Sequence, residues 1–339
     1  MTVTISEVAR AAEVSTATVS NALNGTGRLS EATRRRVREV ADRLGYLPNP
    51  AGRALRTGRT RVLGLAVTTY GGHSWNFSEV AYYARLITSA TAAAHRHGYA
   101  LTVLPAALTD RGWRTLAVDG VILLDSPEGD PAVAALRSRG IPIAFDGRPW
   151  DLAPGESWVD NDHAATTLRV LDHLASQGAR RIALLAGHAT DHYTRSCVEA
   201  YERYVDEPLI GHIEEDDTEG RVAAGRLLAA GADAVYGLFD GCGRAVLSAA
   251  RALGLEVPAD VLLVTCSEDP AYGWTSPPVS TVSLDPAGTV DLAVTALAGT
   301  LAGGPATVHA GRPTLLTVRA SSVRTVPVTA AGAGPPSRA

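Results

Sequence analysis

The chain has 339 residues, of which 46% are hydrophobic, and a mean hydropathy of +0.05, as in a globular protein with more than one core. No apolar run reaches the length of a membrane span, and the first residues lack the apolar core of a signal peptide, so we expect a cytoplasmic protein. The three cysteines, Cys197, Cys242 and Cys266, are widely spaced, which argues against a disulfide framework or a cysteine-based zinc site.

The formal net charge of −4 is unevenly distributed along the chain. Residues 1–61 contain eleven arginines and five acidic residues, a net charge of +6, so the remainder carries −10. A small basic segment joined to a large acidic body is typical of a protein that binds nucleic acid.

The basic segment is predicted to contain three short helices. Thr4 and Glu7 have the spacing of a capping box that opens the first helix, and Ser15 and Ser30 are placed as N-caps of the second and third. The stretch "NGTG" at 24–27 ends the second helix. Apolar residues fall on one face of each helix, which predicts a shared core. Its expected members are Ile5, Val8, Ala9, Ala12, Val14, Val19, Ala22, Leu23, Val37, Val40, Ala41 and Leu44.

The second helix, within "VSTATVSNALNGTG" at 14–27, presents only short uncharged polar groups on its other face. Two helices joined by a tight turn, with the second polar outward, are typical of a helix-turn-helix. Short side chains let a helix approach the major groove closely, and hydroxyls and amides meet base edges and phosphates. The alternative is a three-helix bundle whose polar face is simply solvated.

A basic stretch, "PNPAGRALRTGRT" at 48–60, follows the three helices. Its centre has the length of about two helical turns, too short to be stable alone in water, and Gly52 weakens it further. We expect a flexible linker in the free protein.

From residue 61 onward, short apolar runs alternate with helical stretches, which predicts parallel sheets covered on both faces. The predicted strands are 61–67, 100–105, 120–125, 141–145, 181–187, 234–239 and 261–266. The predicted helices are 78–97, 130–139, 162–177, 192–205, 219–230 and 242–254. A break near 147–157 predicts two lobes, with a ligand cleft between them at the carboxyl ends of the strands.

Signals for catalysis are weak. "GCGRAV" at 241–246 resembles the start of a dinucleotide fingerprint, but Val246 stands where its third glycine belongs. "HATDH" at 188–192 brings His188, Asp191 and His192 into one loop beside the cleft, where an effector-contacting loop and metal or acid–base chemistry are the alternatives. Nucleophile-elbow, Walker and kinase motifs are absent. We therefore predict no enzyme, no metal and no cofactor.

The segment at 4–58, "TISEVARAAEVSTATVSNALNGTGRLSEATRRRVREVADRLGYLPNPAGRALRTG", resembles the DNA-binding module and hinge helix of the lactose-repressor (LacI/GalR) family of bacterial transcription regulators. The body segments "VDGVILLD", "VDN", "ARRIALLAG", "PADVLLV" and "PPVSTV" are similar to family segments in the same places. The resemblance implies an all-α helix-turn-helix head plus an α/β two-lobed, periplasmic-binding-protein-like core with parallel sheets. The implied regions are a DNA-binding domain at 1–47, a hinge helix or linker at 48–60, a core for effector binding and dimerisation at 61–326, and a disordered tail at 327–339.

The resemblance also implies which residues contact DNA. Thr16, Ala17 and Asn21 occupy the base-reading positions, and Asn21 departs from the common Arg or His. Leu55 occupies the place of the hinge leucine that wedges into the minor groove and kinks the operator. The full predicted set is Thr4, Ser15, Thr16, Ala17, Thr18, Asn21, Asn24, Arg53, Ala54 and Leu55.

The effector pocket departs further from the family. Cys197 stands where the family commonly has an effector-binding Arg, and Ser267 where it often has a sugar-binding Asp. The loss of both argues against a typical sugar and predicts a less polyhydroxylated ligand, or none. The predicted effector-binding residues are Tyr70, His73, Trp75, Arg148, His192, Cys197, Asp240, Ser267 and Trp274.

These features together predict a cytoplasmic, nucleoid-associated transcriptional regulator, acting as a repressor. The expected partners are double-stranded operator DNA of pseudo-palindromic sequence, a second copy of the chain and a small-molecule effector in the interlobe cleft, with no membrane involved. One alternative is a ligand-independent regulator whose degenerate cleft binds no sugar. A sugar-binding receptor would explain only the body.

Overall fold

The head and the body form separate compact units in the computed structural model, one over Met1–Arg61 and the other over Val62–Ala339. The structure describes residues 3–47, 58–68, 80–105, 108, 110–187, 191–213 and 217–324. The predicted DNA contacts Arg53, Ala54 and Leu55, the predicted effector contacts Tyr70, His73 and Trp75, and the predicted tail at 327–339 lie outside these residues.

The described residues of the head form three helices: α1 (Ile5–Ala11), α2 (Thr16–Asn24) and α3 (Glu31–Leu44). The predicted capping box at Thr4 and the predicted N-caps Ser15 and Ser30 are confirmed. The helices bury one apolar cluster between them, to which Ile5, Val14 and Leu23 contribute from partly buried positions. Its buried members are Val8, Ala9, Ala12, Val19, Ala22, Val37, Val40 and Ala41. The prediction that Leu44 joins this core is wrong, because Leu44 lies in the last turn of α3 and is 37% exposed.

Two six-stranded sheets form the body, each belonging to one lobe. Their orders are β11-β5-β4-β3-β1-β2 in the first lobe and β12-β10-β9-β8-β6-β7 in the second. The strands are β1 (Val62–Val67), β2 (Ala100–Val103), β3 (Gly120–Leu124), β4 (Ile143–Asp146), β5 (Ser157–Asn161), β6 (Ile182–Gly187), β7 (Ile210–Ile213), β8 (Ala234–Gly237), β9 (Leu262–Cys266), β10 (Ser280–Ser283), β11 (Val308–Arg312) and β12 (Leu315–Thr317). All neighbouring strands are parallel except β10 and β12.

Helices cover both faces of each sheet, as expected for parallel sheets whose strands are buried on both sides. They are α4 (Ala81–Arg96), α5 (Asp110–Thr115), α6 (Pro131–Ser138), α7 (His163–Ser176), α8 (His192–Tyr204), α9 (Asp217–Ala229), α10 (Asp240–Leu253) and α11 (Pro286–Leu301). In the first lobe α4 and α11 pack on one face and α5 and α6 on the other. In the second lobe α7 and α8 pack on one face and α9 and α10 on the other.

The chain passes between the lobes three times, and the predicted division near 147–157 is wrong. The strand β5 follows that segment yet pairs with β4 in the first sheet, so the first passage lies between β5 and α7. The helix α11 returns to the first lobe, and the chain passes back once more between β11 and β12. No local pattern marks these returns, because each depends on which sheet a distant segment joins. Among the described residues, no helix is both long and apolar enough to cross a membrane.

Candidate DNA-reading helix and interlobe cleft

The N-terminus of α2 is fixed by a side-chain cap. The Ser15 hydroxyl accepts a hydrogen bond from the Thr18 amide at 3.1 Å, while Gly25 ends the helix in a left-handed conformation with φ of 71°. Val19 and Ala22 face the core and are fully buried. Thr16 and Ala17 are exposed on the opposite side of the first turn. A capped helix start of this kind presents unpaired backbone amides and a positive dipole end, which suit a phosphate group.

The remaining predicted DNA contacts of the head all make local hydrogen bonds. Thr4 is engaged in the capping box of α1, where its backbone amide donates to the Glu7 carboxylate at 2.7 Å. Oδ1 of the Asn21 side chain accepts from the Thr26 hydroxyl at 3.2 Å, and Nδ2 of Asn24 donates to the Ser20 backbone carbonyl at 2.5 Å. Asn21 remains partly exposed, so its amide group is oriented by the turn and still accessible to a base edge.

The turn after α2 is held by the basic third helix. The Arg34 guanidinium donates to the Gly27 carbonyl at 2.8 Å, and Gly27 itself has φ of 71°. A Cβ atom added to Gly27 would lie 3.0 Å from Nδ2 of Asn21, so glycine also leaves room for that side chain. The arginines of α3 give the head the positive charge that phosphate binding requires.

In the body, the two lobes meet where the carboxyl ends of the parallel strands converge. Asp160 of β5 in the first lobe bonds His163 of α7 in the second, with Oδ1 and Nε2 2.6 Å apart. The Arg85 guanidinium of α4 donates to Glu268, which follows β9, at 2.8 Å. Tyr82 of α4 packs against the buried apolar clusters of both lobes. The predicted cleft at the strand ends is therefore lined from both sides.

Aspartates stand at the carboxyl ends of three neighbouring strands of the first sheet. Leu124 of β3 pairs with Asp146 of β4, and Asp146 pairs with Val159 of β5. The Asp125 amide donates to the Asp146 carbonyl at 2.9 Å. Asp125, Asp146 and Asp160 therefore stand at the same sheet edge on strands about 5 Å apart.

Burial governs the ionisation of this acidic group. Burial, with a smaller contribution from the negative charge of Asp160, raises the pKa of Asp146 to about 7, against the lowering effects of the Thr289 hydrogen bond and the Arg312 charge. Burial also raises the pKa of Asp191, the N-cap of α8, against the lowering effect of its hydrogen bonds from Thr194. For Asp125, burial is the main cause of a raised pKa, and the charges of Asp191, Asp146 and Asp160 add to it. Asp191 belongs to the second lobe, so its charge acts across the cleft.

Two predicted effector residues stack on aromatic rings near the cleft. The His192 imidazole lies 5.5 Å from the Trp150 ring, and burial lowers the pKa of His192. The Arg148 guanidinium lies 5.8 Å from the centre of the Trp158 ring. Trp150 and Arg148 belong to the connection between β4 and β5.

The other described members of the predicted effector set do not form one surface. Cys197 is 1% exposed and packs in the buried cluster of the second lobe, where burial raises the pKa of its thiol. Ser267 donates to Asp240 in a short hydrogen bond, and Asp240 also pairs with Arg244 at 3.0 Å. Trp274 is 89% exposed, so its indole does not line an enclosed pocket. Of these four residues, Cys197 is buried in the core, Trp274 is exposed, and Ser267 and Asp240 bond to each other.

Sequence reasoning missed several side chains at the lobe junction: Tyr82, Asp125, Trp150, Asp160, His163 and Tyr193. A signal existed for the aspartates, because "GVILLD" and "IPIAFD" each end an apolar run with an acid, and "VDN" was recognised only as a family segment. The aromatic residues gave no such signal. Tyr193 donates to the Leu238 carbonyl at 2.6 Å and packs edge-on against His163 at 4.8 Å, contacts that only the folded chain reveals.

Comparison with known proteins gives consistent matches. Residues 4–49 match the family model described as bacterial regulatory proteins, lacI family, and residues 171–322 match a periplasmic binding protein-like domain. The chain is 31% identical over 297 residues to the HTH-type transcriptional regulator CelR of Thermobifida fusca, covering 83% of this chain and 86% of that protein. It is 27% identical over 301 residues to the HTH-type transcriptional regulator DegA of Bacillus subtilis, covering 84% and 87%.

Solved structures with the same fold span nearly the whole chain. The transcriptional regulator CelR–cellobiose complex matches with a TM-score of 0.69 at 26% identity, over 94% of this chain and 99% of that one. The Lac repressor dimer bound to operator and the anti-inducer ONPF matches with a TM-score of 0.77 at 20% identity, over 96% and 100%. At 20% identity, the match to the Lac repressor shows a shared fold alone. The predicted fold, a helix-turn-helix head with a two-lobed periplasmic-binding-protein-like core, is confirmed.

Proposed function

Because the chain belongs to the lacI family of bacterial regulatory proteins, we propose that its head reads an operator and that a small molecule bound between its lobes changes its affinity for that operator. The protein is a DNA-binding transcriptional regulator. We assign it the role of a repressor that acts on DNA as a homodimer, in the cytoplasm and on the nucleoid when bound. We also propose that it acts by binding alone, without catalysis, as the naming of its relatives as regulators supports.

The observation that carries this proposal is the second helix of the head. Its start is capped by Ser15, its inner face is buried at Val19 and Ala22, and its outer face offers only small uncharged groups. Such a helix enters the major groove closely, while the surrounding arginines bind phosphates without regard to sequence. A dimer carrying two such helices reads two inverted half-sites.

For the body, the supporting observation is that both lobes contribute to one buried polar surface, through Asp125 and Asp160 on one side and Asp191 and His163 on the other. A relative of the same fold is described as a complex with cellobiose. A ligand held by both lobes binds one relative placement of the lobes better than another, which is what coupling to DNA affinity requires. We therefore favour a ligand-responsive regulator over the ligand-independent alternative.

Selection of binding sites from random double-stranded DNA, using the full chain, tests the first part. We expect inverted half-sites around a deformable centre, measured afterwards by fluorescence anisotropy of labelled duplexes. A single unrepeated site would contradict the dimer, and binding without any sequence preference would contradict the role of α2. Anisotropy repeated in the presence of ligands then measures the coupling between the cleft and the head.

A further inference from the structure

We infer that the ligand of the cleft carries a protonated amine beside a hydrogen-bonding group, an inference that rests on the proposed ligand site between the lobes. It concerns the charge of the ligand, which the fold does not specify. The inference rests on buried carboxylates at the lobe junction. Asp146 is 5% exposed, Asp160 is 6% exposed and Asp191 is 2% exposed. Asp146 and Asp160 stand at the carboxyl ends of neighbouring strands of the first lobe, beside Asp125, and Asp191 caps α8 of the second lobe, from where its charge acts on Asp125.

In the described part of the chain, neutral donors contact Asp146 and Asp191. Asp146 accepts from the Thr289 hydroxyl at 3.3 Å, and Asp191 accepts from the Thr194 amide at 2.7 Å. In the described part of the chain, no arginine forms an ion pair with Asp146, Asp160 or Asp191. Buried carboxylates are normally paired with a cation, and among the described residues the ion-pair partner of Asp160 is the imidazole of His163.

The arginines nearest the junction are paired with other acids. Arg85 bonds Glu268 at 2.8 Å, and Arg312 bonds Asp285 at 2.7 Å. Arg85, Glu268 and Asp285 line a pocket of about 430 Å³. The positive charge of Arg312 lowers the pKa of Asp146, but the ion pairs of both guanidinium groups are made with acids other than Asp146, Asp160 and Asp191.

The sequence of the loops supports the same conclusion. The chain contains no lysine. Eight central strands have a neighbour on each side: β1, β3, β4 and β5 in the first sheet and β6, β8, β9 and β10 in the second. Among the connections that follow these strands, only the one after β4 contains an arginine, Arg148. Acidic residues occur in the connections that follow seven of the eight. Arg148 lies over the Trp158 ring at 5.8 Å. The ligand-facing end of both sheets is thus rich in acids and poor in permanent cations, whatever the conformation of each loop.

Two buried polar atoms next to Asp160 indicate that the ligand also has a hydrogen-bonding group. Nδ1 of His163 and Nδ2 of Asn161 have no hydrogen-bond partner within the described residues, and the two side chains are 7% and 8% exposed. Such atoms are nearly always satisfied in folded proteins. They flank a carboxylate, so a ligand amine at Asp160 places a neighbouring hydroxyl or similar group within their reach.

A neutral sugar fits this arrangement less well than an amine. Its hydroxyls donate hydrogen bonds to carboxylates but leave the mutual repulsion of Asp146 and Asp160 unchanged. A protonated amine forms stronger, charge-assisted hydrogen bonds and removes that repulsion. An amino sugar or an amino alcohol is therefore the class of ligand that matches the site.

Isothermal titration calorimetry of the full chain near neutral pH tests the inference with three disaccharides of one shape. These are cellobiose, the chitosan disaccharide with free amines, and its N-acetylated form; small linear amino alcohols and diamines extend the set. We expect the free-amine disaccharide or a linear amine to bind about tenfold or more tightly than cellobiose, which corresponds to about 1.4 kcal/mol or more. Equal affinity for the amine and its neutral counterparts, tighter binding of the neutral forms, or no binding of any amine at millimolar concentration would overturn it.

A matched pair of variants locates the amine. Asp146→Asn keeps the size of the side chain and an oxygen that accepts from Thr289, so we expect it to fold and to lose most of the preference for the amine. Asp151→Asn is the control, since Asp151 lies in the adjacent connection, is 83% exposed and pairs with Arg137. An unchanged preference in Asp146→Asn would contradict the inference. Operator binding, measured in parallel, stays sequence-specific in either case and fails only if the proposed function is wrong.

Discussion

Trp150 of the first lobe contacts two side chains of the second lobe. The centre of the His192 ring lies 5.5 Å from the centre of the indole ring, and the Arg195 guanidinium lies 5.0 Å from it. His192 and Arg195 both belong to the first turns of α8, whose N-cap is the cleft residue Asp191. The indole therefore links the β4–β5 connection to the helix that borders the cleft. Aromatic and cation–π contacts of this kind are each worth about 0.5–1.5 kcal/mol.

We expect Trp150→Ala to favour a more open arrangement of the lobes. Removing the indole takes away a contact that exists only when the lobes are close, so the radius of gyration of the body should rise and ligand affinity should fall by about threefold to tenfold. Small-angle X-ray scattering and calorimetry measure the two effects. Leu152→Ala, an exposed side chain in the same connection, is the control. An unchanged radius and affinity in Trp150→Ala would show that the contact does not hold the lobes.

The raised pKa of Asp146 predicts how stability depends on pH. Its ordinary value is 3.8 and its value in the folded chain is about 7, so between these limits the folded state holds a proton that the unfolded state has released. The contribution of Asp146 to the free energy of unfolding therefore falls as pH rises from about 4 to about 7.

Asp146→Asn removes this penalty and should raise the free energy of unfolding at about pH 8 by of order 1–4 kcal/mol, with little change at about pH 4. Urea denaturation at the two pH values measures it. Asp151→Asn should leave the pH dependence as it is, because that carboxylate is 83% exposed. A variant that is less stable than the parent at high pH would mean that Asp146 is ionised and paired in the folded chain.

How far the sequence predicts the structure depends on the range of the interactions. The caps at Thr4, Ser15 and Ser30 each involve residues three apart, and all three were predicted correctly. The helix α11 was not predicted, although Val290, Val294 and Leu297 of its sequence are fully buried. Its many Ala, Thr and Gly residues give a weak periodic signal, and its burial comes from packing against α4 in the first lobe.

The strands β5 and β10 show the same limit. "SWVDN" and "STVS" are too polar to be recognised as buried strands, yet most of their residues are buried because both strands lie inside their sheets, whose faces are covered by helices. The acidic group of the cleft depends on these placements, since Asp160 reaches the junction only when β5 joins the first sheet. Cys197 was assigned to the effector pocket from the family resemblance, but its side chain lies in the core of the second lobe.

Two serine caps allow DNA contact to be separated from helix stability. Ser15 and Ser30 each accept a hydrogen bond from a backbone amide at 3.1 Å, so Ser15→Ala and Ser30→Ala should each cost the head about 0.5–2 kcal/mol. Amide hydrogen exchange of the head measures this loss. Only Ser15 stands at the start of α2, so we expect its variant alone to lose additional operator affinity. Equal losses of affinity would show that Ser15 acts as a cap and not as a DNA contact.

Leu55, predicted to wedge into the minor groove, should matter for DNA bending and not for the stability of the free protein. We expect Leu55→Ala to lower affinity for the operator and reduce its bend, with an unchanged Tm. Gel-shift bending assays and thermal denaturation of the full chain measure the two effects. Leu47→Ala, which removes a leucine that is 80% exposed, should change neither. A large drop in Tm for Leu55→Ala would place that leucine in a core.

Asn21 is the residue of α2 best placed to choose a base. Oδ1 of its side chain accepts a hydrogen bond from the Thr26 hydroxyl at 3.2 Å, so the turn orients the amide group. The side chain is partly exposed. Asn pairs well with the edge of adenine and Arg with that of guanine, and each good pair discriminates by about 1–3 kcal/mol. Asn21→Arg should therefore move the preference from adenine to guanine at one symmetric position in each half-site.

Binding-site selection with Asn21→Arg, followed by anisotropy on the parent and altered operators, measures that change. Asn24→Arg is the matched control, since Asn24 is exposed at the end of the same helix and donates to the Ser20 carbonyl. The added charge alone should strengthen binding of all sequences in both variants, because it adds a phosphate contact. A shift in base preference confined to Asn21→Arg assigns base reading to that position, whereas a uniform change in both variants would place Asn21 against the DNA backbone.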